Sequence, residues 1–294
     1  MTEHPVQLEP VQLENVTKQY GAFTAVNDLS FSVAKGEIYG FLGPNGAGKT
    51  TTLRMMLDIV QPSAGRISVL GSESAISVRR RIGYLPEERG LYRKMKAAES
   101  IAYFAQLRGL SARDAKKKAY ALLEEFGLGE FARAKNEALS KGMAQKVQLL
   151  ATIAHEPELL ILDEPFSGLD PINQQTLEKL IADQRAGGRT LIFSTHVLQH
   201  AERLCDRFLI IAKGQKRFEG TLSEARANYG RRLHVRSNAP AAAFEALPGV
   251  IAVRLERNGG EESEYDIELA DGADPQDFLR RMVAAGIMVS RFEQ

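Results

Sequence analysis

The stretch that decides the fold reads Gly43-Pro44-Asn45-Gly46-Ala47-Gly48-Lys49-Thr50. It fits the pattern G-x-x-x-x-G-K-[ST] of a phosphate-binding loop. The glycines let the backbone curl, so that successive N–H groups point at phosphate oxygens. Lys49 supplies a positive charge for the β- and γ-phosphates, and Thr50 offers its hydroxyl to Mg²⁺. The sequence therefore predicts a nucleotide site with ATP and Mg²⁺ as cofactors.

The residues on both sides of this loop support the prediction. Residues 37–42 form a short apolar stretch, which predicts a buried strand before the loop. Residues 51–57 have apolar side chains at helical spacing, so a helix N-terminus would face the phosphates. The alternative is a chance glycine turn between a strand and a helix, and the agreement of strand, loop, Lys49, Thr50 and helix argues against it.

The composition is that of an ordinary globular protein. The chain has 294 residues, of which 44% are hydrophobic and 26% are charged, enough for one large core or two domains. The net charge of +1 gives no argument for a nucleic-acid partner, and none is expected. Cys205 is the single cysteine, which excludes an intrachain disulfide, and its apolar neighbours predict a buried, inert thiol.

Neither the N-terminus nor any apolar stretch suggests insertion in a membrane. Residues 1–5 have no basic or apolar segment of a signal peptide, and no apolar run approaches the roughly 18–20 residues that span a bilayer. We therefore expect a cytoplasmic chain, and if it serves a membrane, another chain must cross it.

The order of predicted elements indicates an α/β core with an antiparallel β subdomain and a helical insertion. Residues 6–33 alternate apolar and polar, which predicts short antiparallel strands with turns near Tyr20-Gly21 and Asn27-Asp28. The other predicted elements are a helix at 50–60, strands at 37–42, 66–70, 82–85, 159–163, 190–194 and 207–212, and a mostly helical region at 97–155. The first domain is expected at 1–228, with a helical subdomain at about 90–157.

A second, small α+β domain is expected at 229–294. Its pattern predicts strand 232–236, helix 240–247, strands 250–256 and 264–269, helix 274–285 and strand 287–292. This βαββαβ order is the ferredoxin-like pattern. A fold alone assigns no function, so a small-molecule sensor and a dimerising or stabilising appendage both remain open, the latter favoured.

Residues 159–164 form a second feature typical of nucleotide sites. Leu159–Leu162 is continuously apolar, which predicts a buried parallel strand, and Asp163 and Glu164 follow it. Ligands bind beyond the carboxyl ends of such strands, where Asp163 would hold Mg²⁺ and Glu164 would face the attacking water. The alternative is a pair of solvated acids at an exposed strand end.

With these motifs in place, residues 8–222 resemble the ATP-binding subunit of ABC transporters, a P-loop NTPase. The diagnostic stretch Leu139-Ser140-Lys141-Gly142-Met143 resembles the family's L-S-G-G-Q signature. The resemblance implies that this stretch contacts the γ-phosphate of ATP held by the opposite subunit, through Ser140 and the Gly142 N–H. The chain departs from the family at Lys141, which adds a cation, and at Met143, which removes a hydrogen-bonding side chain.

The resemblance implies roles for further residues. Residues 167–171 resemble the D-loop, so that Asp170 would also act on the opposite ATP, and His196 resembles the switch histidine, catalytic together with Glu164 and Lys49. Tyr20 resembles the aromatic residue that stacks on adenine, although it could instead pack on the sheet. The remaining implied ATP-binding residues are Val26 and Thr51. His155 and His200 match no motif and are expected to be structural.

One further position departs from the family's pattern. Residues 82–87 resemble the segment that leads to the family's glutamine loop, but the glutamine is replaced by Glu87. A carboxylate there could join Thr50 and Asp163 as a metal ligand, at the expense of adding negative charge near the γ-phosphate. Residues 86–92 resemble an exporter subgroup that includes sodium and drug efflux systems and carries a C-terminal α/β appendage.

Taken together, the resemblance implies an ATPase subunit that powers an exporter. Two copies, or one copy and a related subunit, would bind ATP between them across a two-fold axis. Their closure would move a separate integral membrane permease, and binding to this permease would place the chain on the inner face of the membrane. The permease contact is expected near residues 87–108. There Arg89, Tyr92, Arg93 and Lys94 either face it or form a solvated basic loop. The alternative function is a soluble ABC-type ATPase that acts on ribosomes or DNA.

Overall fold

A computed structural model describes residues 9–88, 90–228, 231–260, 262–270 and 272–293. The chain divides into two compact units, the first ending at Thr221 and the second beginning at Leu222, so that the helix Leu222–Asn228 groups with the second unit. The expected contact residue Arg89 and residues 1–8 lie outside the described part.

The first unit alternates strands and helices. Its strands are β1 (Val11–Tyr20), β2 (Phe23–Val33), β3 (Ile38–Leu42), β4 (Ala64–Val69), β5 (Ile82–Leu85), β6 (Leu159–Leu162), β7 (Thr190–Thr195), β8 (Arg207–Ala212) and β9 (Gln215–Gly220). Its helices are α1 (Lys49–Met56), α2 (Ala75–Val78), α3 (Ala97–Leu107), α4 (Ala112–Glu125), α5 (Lys141–Ile153), α6 (Pro171–Ala186) and α7 (Leu198–Leu204). The predicted α/β core is confirmed.

The main sheet places three motif-bearing strand ends side by side. Its strand order is β5-β6-β7-β3-β8-β9, parallel except for β9. All residues of β3, β6 and β7 are buried, as expected for parallel strands that are covered on both faces. Because β6, β7 and β3 are neighbours, the segments that follow them meet at one edge of the sheet.

A separate antiparallel sheet has the order β2-β1-β4. The predicted turn at Tyr20-Gly21 is confirmed, but the predicted turn at Asn27-Asp28 is wrong, because β2 runs through it without a break. Asp28 has φ +52 where the pairing with β1 shifts register, so the residues form a β-bulge. An aspartate tolerates this left-handed conformation, and its N–H donates to Thr17 Oγ1.

The predicted helical region consists of α3, α4 and α5. Gly109 and Gly127 follow α3 and α4 with φ of +110 and +70, which closes each helix in a conformation that suits glycine. Ser111 caps α4 by accepting a hydrogen bond from the Asp114 N–H. None of the helices in the described residues is long and apolar enough to cross a membrane.

The second unit has the predicted βαββαβ order after its first helix. Its elements are α8 (Leu222–Asn228), β10 (Arg231–Ser237), α9 (Ala241–Glu245), β11 (Val250–Asn258), β12 (Ser263–Leu269), α10 (Pro275–Ala284) and β13 (Val289–Glu293). The strands form an antiparallel sheet in the order β11-β12-β10-β13. Phe244 of α9 and Phe278 of α10 pack with Leu233, Val235 and Ile267 in one core, so the helices cover one face of the sheet.

Candidate nucleotide-binding site

The phosphate loop joins β3 to α1 and is shaped by a close backbone approach. Gly48 has φ +106, and a Cβ atom there would lie 2.6 Å from the Ala25 carbonyl oxygen and 3.3 Å from Val26 Cγ2. A glycine is therefore required at this position on both conformational and steric grounds. The Gly43 N–H donates to the Thr195 carbonyl oxygen at 3.3 Å, which ties the start of the loop to the end of β7.

Lys49 is a buried cation, 6% exposed, at the first position of α1. Its ammonium group donates to the carbonyl oxygens of Gly43 (2.6 Å) and Pro44 (3.3 Å) within the loop. The same Nζ lies 3.1 Å from Glu164 Oε1, which makes an ion pair between two buried side chains. A charge held this way has little water around it and acts strongly on any anion that enters the loop.

Asp163 lies directly after β6 and is 1% exposed. Its Oδ1 accepts hydrogen bonds from Ser194 Oγ (2.6 Å) and Thr50 Oγ1 (3.3 Å). Its Oδ2 is buried and has no hydrogen-bond partner among the described residues. Burial raises the pKa of this carboxyl, against the two hydrogen bonds, which lower it. A free carboxylate oxygen beside a hydroxyl suits a hard divalent cation, so these residues fit Mg²⁺.

Glu164 is held in a strained backbone conformation with φ +47. Its N–H donates to Ser194 Oγ at 2.8 Å, and its Oε2 lies 3.0 Å from His196 Nδ1. The Glu164 side chain is 8% exposed and the His196 side chain 47%, so the imidazole lies between the buried carboxylate and solvent. The predicted catalytic residues Glu164, His196 and Lys49 thus form one contiguous group.

Ser194 is a site residue that the sequence analysis missed. It is fully buried in β7, and its hydroxyl both accepts from the Glu164 N–H and donates to Asp163 Oδ1. The available signal was a polar residue at the end of an otherwise apolar predicted strand, next to Thr195-His196. A buried hydroxyl must find partners, and strand order decides that they are the Asp163 carboxylate and the Glu164 backbone N–H.

The other predicted ATP-binding and metal residues differ in exposure. Tyr20 is 49% exposed at the end of β1, with Lys18 Nζ 4.9 Å from its ring centroid. Val26 is fully buried against Gly48, so it supports the loop from behind, and Thr51 is half-buried in α1. Glu87 is exposed after β5 and makes no ion pair with another described residue.

The signature stretch lies at the start of α5. Ser140 is exposed and caps this helix, its Oγ accepting from the Met143 N–H at 3.2 Å. Gly142 lies so close to Asn173 that a Cβ atom would be 2.7 Å from Asn173 Nδ2, and Asn173 in turn bonds Asp170, the cap of α6. Among the described residues no hydrogen bond joins this group to the phosphate loop.

Three residues of this stretch or near it show how the departures from the family are accommodated. The Lys141 ammonium lies against Gly168, where a Cβ atom would collide with it. Met143 is half-buried and packs against the apolar core of the first unit, so its side chain points inward. The family's polar side chain at this position is therefore replaced by a core contact.

The residues that were expected to be structural are buried or partly buried. His155 Nε2 lies 3.1 Å from the Ile82 carbonyl oxygen, and burial lowers the pKa of His155 to about 4. His200 is 6% exposed and stacks on Phe166 with ring centroids 4.1 Å apart. Cys205 is partly buried next to Gly40, and burial raises the pKa of its thiol.

Comparison with known proteins agrees with this geometry. A family described as "ABC transporter" matches residues 26–167. The chain is 41% identical over 220 residues to the uncharacterized ABC transporter ATP-binding protein YhaQ of Bacillus subtilis (strain 168), covering 75% of this chain and 74% of that protein. It is 40% identical to the Nod factor export ATP-binding protein I of Burkholderia orbicola (strain AU 1054), covering 73% and 72%.

A solved structure gives the same result. The structure titled as the ATP binding subunit of an ABC transporter is 34% identical, covers 74% of this chain and 92% of its own, and superposes with a TM-score of 0.69. The chain therefore belongs to the ABC transporter family as an ATP-binding subunit, an ATPase that drives transport.

Proposed function

We propose that this ATPase subunit binds MgATP at the interface of a two-fold dimer and drives export of a substrate through a separate integral membrane permease. The observation that carries the proposal is the group at the ends of β6, β7 and β3. There a buried Lys49, a strained Glu164 and an Asp163 with a free oxygen lie together. Such a group suits binding and hydrolysis of a phosphate anhydride.

Within one subunit, each side chain has a separate task. The N–H groups of loop residues such as Asn45, Gly46 and Gly48, together with the Lys49 ammonium, bind the β- and γ-phosphates, which replace the Gly43 and Pro44 carbonyl oxygens as Lys49 partners. Thr50 and Asp163 would hold Mg²⁺, which supplies charge neutralisation at the phosphates. Glu164 accepts a proton from the attacking water, and His196 orients the Glu164 carboxylate and contacts the γ-phosphate.

The dimer is supported by the exposed signature stretch. Ser140, Lys141 and the Gly142 N–H lie at the N-terminus of α5, a helix of 13 residues whose dipole favours an anion. Because they make no hydrogen bond to the phosphate loop among the described residues, they are available to an ATP bound by another subunit. Asp170 would approach the same ATP, and the partner is a second copy or a related subunit.

The remaining predicted site residues have proposed roles that fit their positions in the structure. Tyr20, half exposed at the tip of β1, would stack on adenine, and Val26 and Thr51 support the loop and α1. Glu87 follows β5, which pairs in parallel with β6, so it lies at the same end of the sheet as Asp163. We propose it as an additional oxygen donor for the metal.

The permease contact is supported by an exposed aromatic surface in the helical region. The rings of Tyr92, Tyr103 and Phe104 contact one another at centroid distances of 5.5–6.4 Å, and Tyr92 remains 55% exposed. Arg93 and Lys94 beside them are exposed cations. Aromatic and basic side chains together suit a membrane protein near lipid headgroups. Export is proposed from the similarity to the Nod factor export protein.

The test is purification of the tagged full-length chain from native membranes under mild conditions. We expect one multi-spanning permease to co-purify and to change the rate of ATP hydrolysis. Recovery of ribosomes or DNA, without a membrane chain, would overturn the exporter proposal in favour of a soluble ABC-type ATPase and leave the ATP chemistry intact.

A further inference from the structure

Two segments of the helical region run side by side and hydrogen-bond to each other. The first is residues 92–97, which lead into α3, and the second is residues 134–137, which lead toward α5. Three backbone hydrogen bonds join them, namely Asn136 N to Met95 O (2.9 Å), Ala97 N to Ala134 O (3.0 Å) and Glu137 N to Arg93 O (3.0 Å), and the first two form the antiparallel bridge Lys96–Lys135. We call residues 92–97 and 134–137 the paired segments.

The side chain of Asn136 forms hydrogen bonds that hold the paired segments together. Its Nδ2 donates to the Tyr92 carbonyl oxygen at 2.9 Å and to Ser100 Oγ at 2.7 Å. Asn136 is 7% exposed and Ser100 is fully buried, so the bond to Ser100 is shielded from water, and the bond to Tyr92 is partly buried. A buried amide bonded to two separate elements fixes their relative position more firmly than exposed contacts do.

Asn136 joins two regions that have different proposed roles. Tyr92 belongs to the exposed aromatic surface with Tyr103 and Phe104. Asn136 begins the 3₁₀ turn Asn136–Ala138, which leads directly into Leu139 and Ser140, the cap of α5. One buried side chain thus stands between the surface proposed to meet the permease and the segment proposed to meet the partner's ATP.

We propose that Asn136 is a positioning residue that transmits movement between the Ser140 segment and the aromatic surface. The proposal rests on the proposed function, because it assumes that Ser140 moves when ATP closes the dimer. A displacement of residues 137–140 is carried by the Asn136 amide to the Tyr92 carbonyl and to α3 through Ser100. By thermodynamic reciprocity, binding at the aromatic surface then alters the affinity of the dimer for ATP.

A nearly isosteric substitution tests the connection. Asn136→Asp keeps the size of the side chain but replaces the donor with an oxygen that repels the Tyr92 carbonyl oxygen. Ser100→Ala removes one of the two acceptors and leaves the Tyr92 bond. The matched control is Gln106→Glu, an amide-to-acid change on an exposed side chain of α3 whose bond to the Ala102 carbonyl stays within that helix.

The readout uses the fact that the chain contains no tryptophan. Tyr92→Trp introduces a single fluorophore at the aromatic surface, in a Glu164→Gln background that we expect to bind MgATP and to hydrolyse it slowly. We expect MgATP to dimerise the full-length chain, measured by light scattering, and to change the tryptophan emission. Asn136→Asp should lose most of this emission change, and Ser100→Ala a smaller part. Gln106→Glu should keep it.

The readout separates the proposal from a merely structural role. ATP affinity, dimer formation and the thermal unfolding midpoint are measured for each variant, and the proposal requires the emission change to fall while these stay near the parent values. If Asn136→Asp unfolds, Ser100→Ala decides the outcome. An undiminished emission change in a folded, dimeric variant overturns the role of Asn136. Failure of the parent to dimerise with MgATP contradicts the proposed function instead.

Discussion

Two groups of charged residues lie on sheets of this chain. One is at the carboxyl end of the main sheet, and the other is on the face of the sheet of β10, β11, β12 and β13 that α9 and α10 do not cover, which we call the open face. In the first, Lys49, Asp163 and Glu164 are each less than 9% exposed. In the second, Arg236 pairs with Glu264, and the side chains of both are at least 30% exposed.

The difference lies in what each charge has as a partner. On the open face, Arg236 pairs with Glu264 and Arg232 lies 3.6 Å from Glu268, although the Asp266 side chain is only 13% exposed and its Oδ1 lacks a hydrogen-bond partner among the described residues. At the main sheet, Asp163 Oδ2 lacks a hydrogen-bond partner among the described residues, and Glu164 has a strained φ of +47. Burying a polar group without a hydrogen-bond partner costs free energy, so the group at the main sheet points to a ligand. Exposed charges that are paired contribute little to stability and mainly keep the sheet soluble.

The largest effect is expected for Glu164→Gln. Removing the general base should lower the rate of ATP hydrolysis by about 10²- to 10⁴-fold while ATP binding persists. Steady-state hydrolysis and ATP binding measure the two quantities. The matched control on the open face is Glu264→Gln, which should hydrolyse ATP at the parent rate. Equal rates for the two variants would contradict both the base assignment and the contrast between the sheets.

A smaller effect is expected for Lys49→Ala. The substitution removes the cation that would bind phosphate and leaves Glu164 buried without its ion pair, so ATP affinity should fall about 10- to 100-fold. Equilibrium binding of a fluorescent ATP analogue measures it. Lys216→Ala, which removes a half-exposed lysine from β9, is the control and should bind normally. An unchanged affinity in Lys49→Ala would rule out the phosphate-loop interpretation.

Ser194→Ala should act on stability and catalysis together. Loss of the hydroxyl strands a buried N–H of Glu164 and removes one bond to Asp163, which should lower the free energy of unfolding by about 1–3 kcal/mol. Urea unfolding followed by circular dichroism tests this, with the Mg²⁺ dependence of hydrolysis as a second readout. Ser290→Ala, on an exposed residue of β13, should change neither. Equal stability of the two variants would show that the Ser194 bonds contribute little.

The smallest effect concerns pH. Burial holds the pKa of His155 at about 4, below the unfolded value of about 6.5. Between these values the unfolded chain binds more protons, so stability is full above pH 6.5 and falls as pH drops toward 4. His155→Gln should therefore lose less stability than the parent between pH 7 and pH 5, measured by urea unfolding. An identical pH dependence of stability in the parent and in His155→Gln would contradict the burial effect.

Much of the fold follows from local patterns. The predicted α/β core, the helical region and the βαββαβ order of the second unit are confirmed, with bounds that differ by a few residues. The prediction failed at Asn27-Asp28, where turn-forming residues sit in a bulge of β2. Turn preference is a local property, whereas the pairing of β2 with β1 on both sides of the bulge is not.

The sequence predicted the residues proposed for catalysis and metal binding more fully than the residues that support them. Lys49, Thr50, Asp163 and Glu164 stand in motifs whose spacing is local, so they could be named from the residues, whereas His196 was named only through the resemblance to the family. Ser194 and Asn136 have no motif of their own. Their importance depends on partners that are distant along the chain, Ser194 with Asp163 at a separation of 31 residues and Asn136 with Ser100 at 36.

The sequence by itself determined the ligand class and the type of fold, because a glycine-rich loop between a buried strand and a helix has one dominant use. The tertiary structure alone decided that Lys49, Glu164 and His196 share one site and that Ser194 holds both acids. The reason is strand order, since β3 lies beside β7 in the sheet although it is far from β6 and β7 in the chain. The local spacing of residues determines which secondary structure a segment can form, whereas tertiary packing determines which segments contact one another.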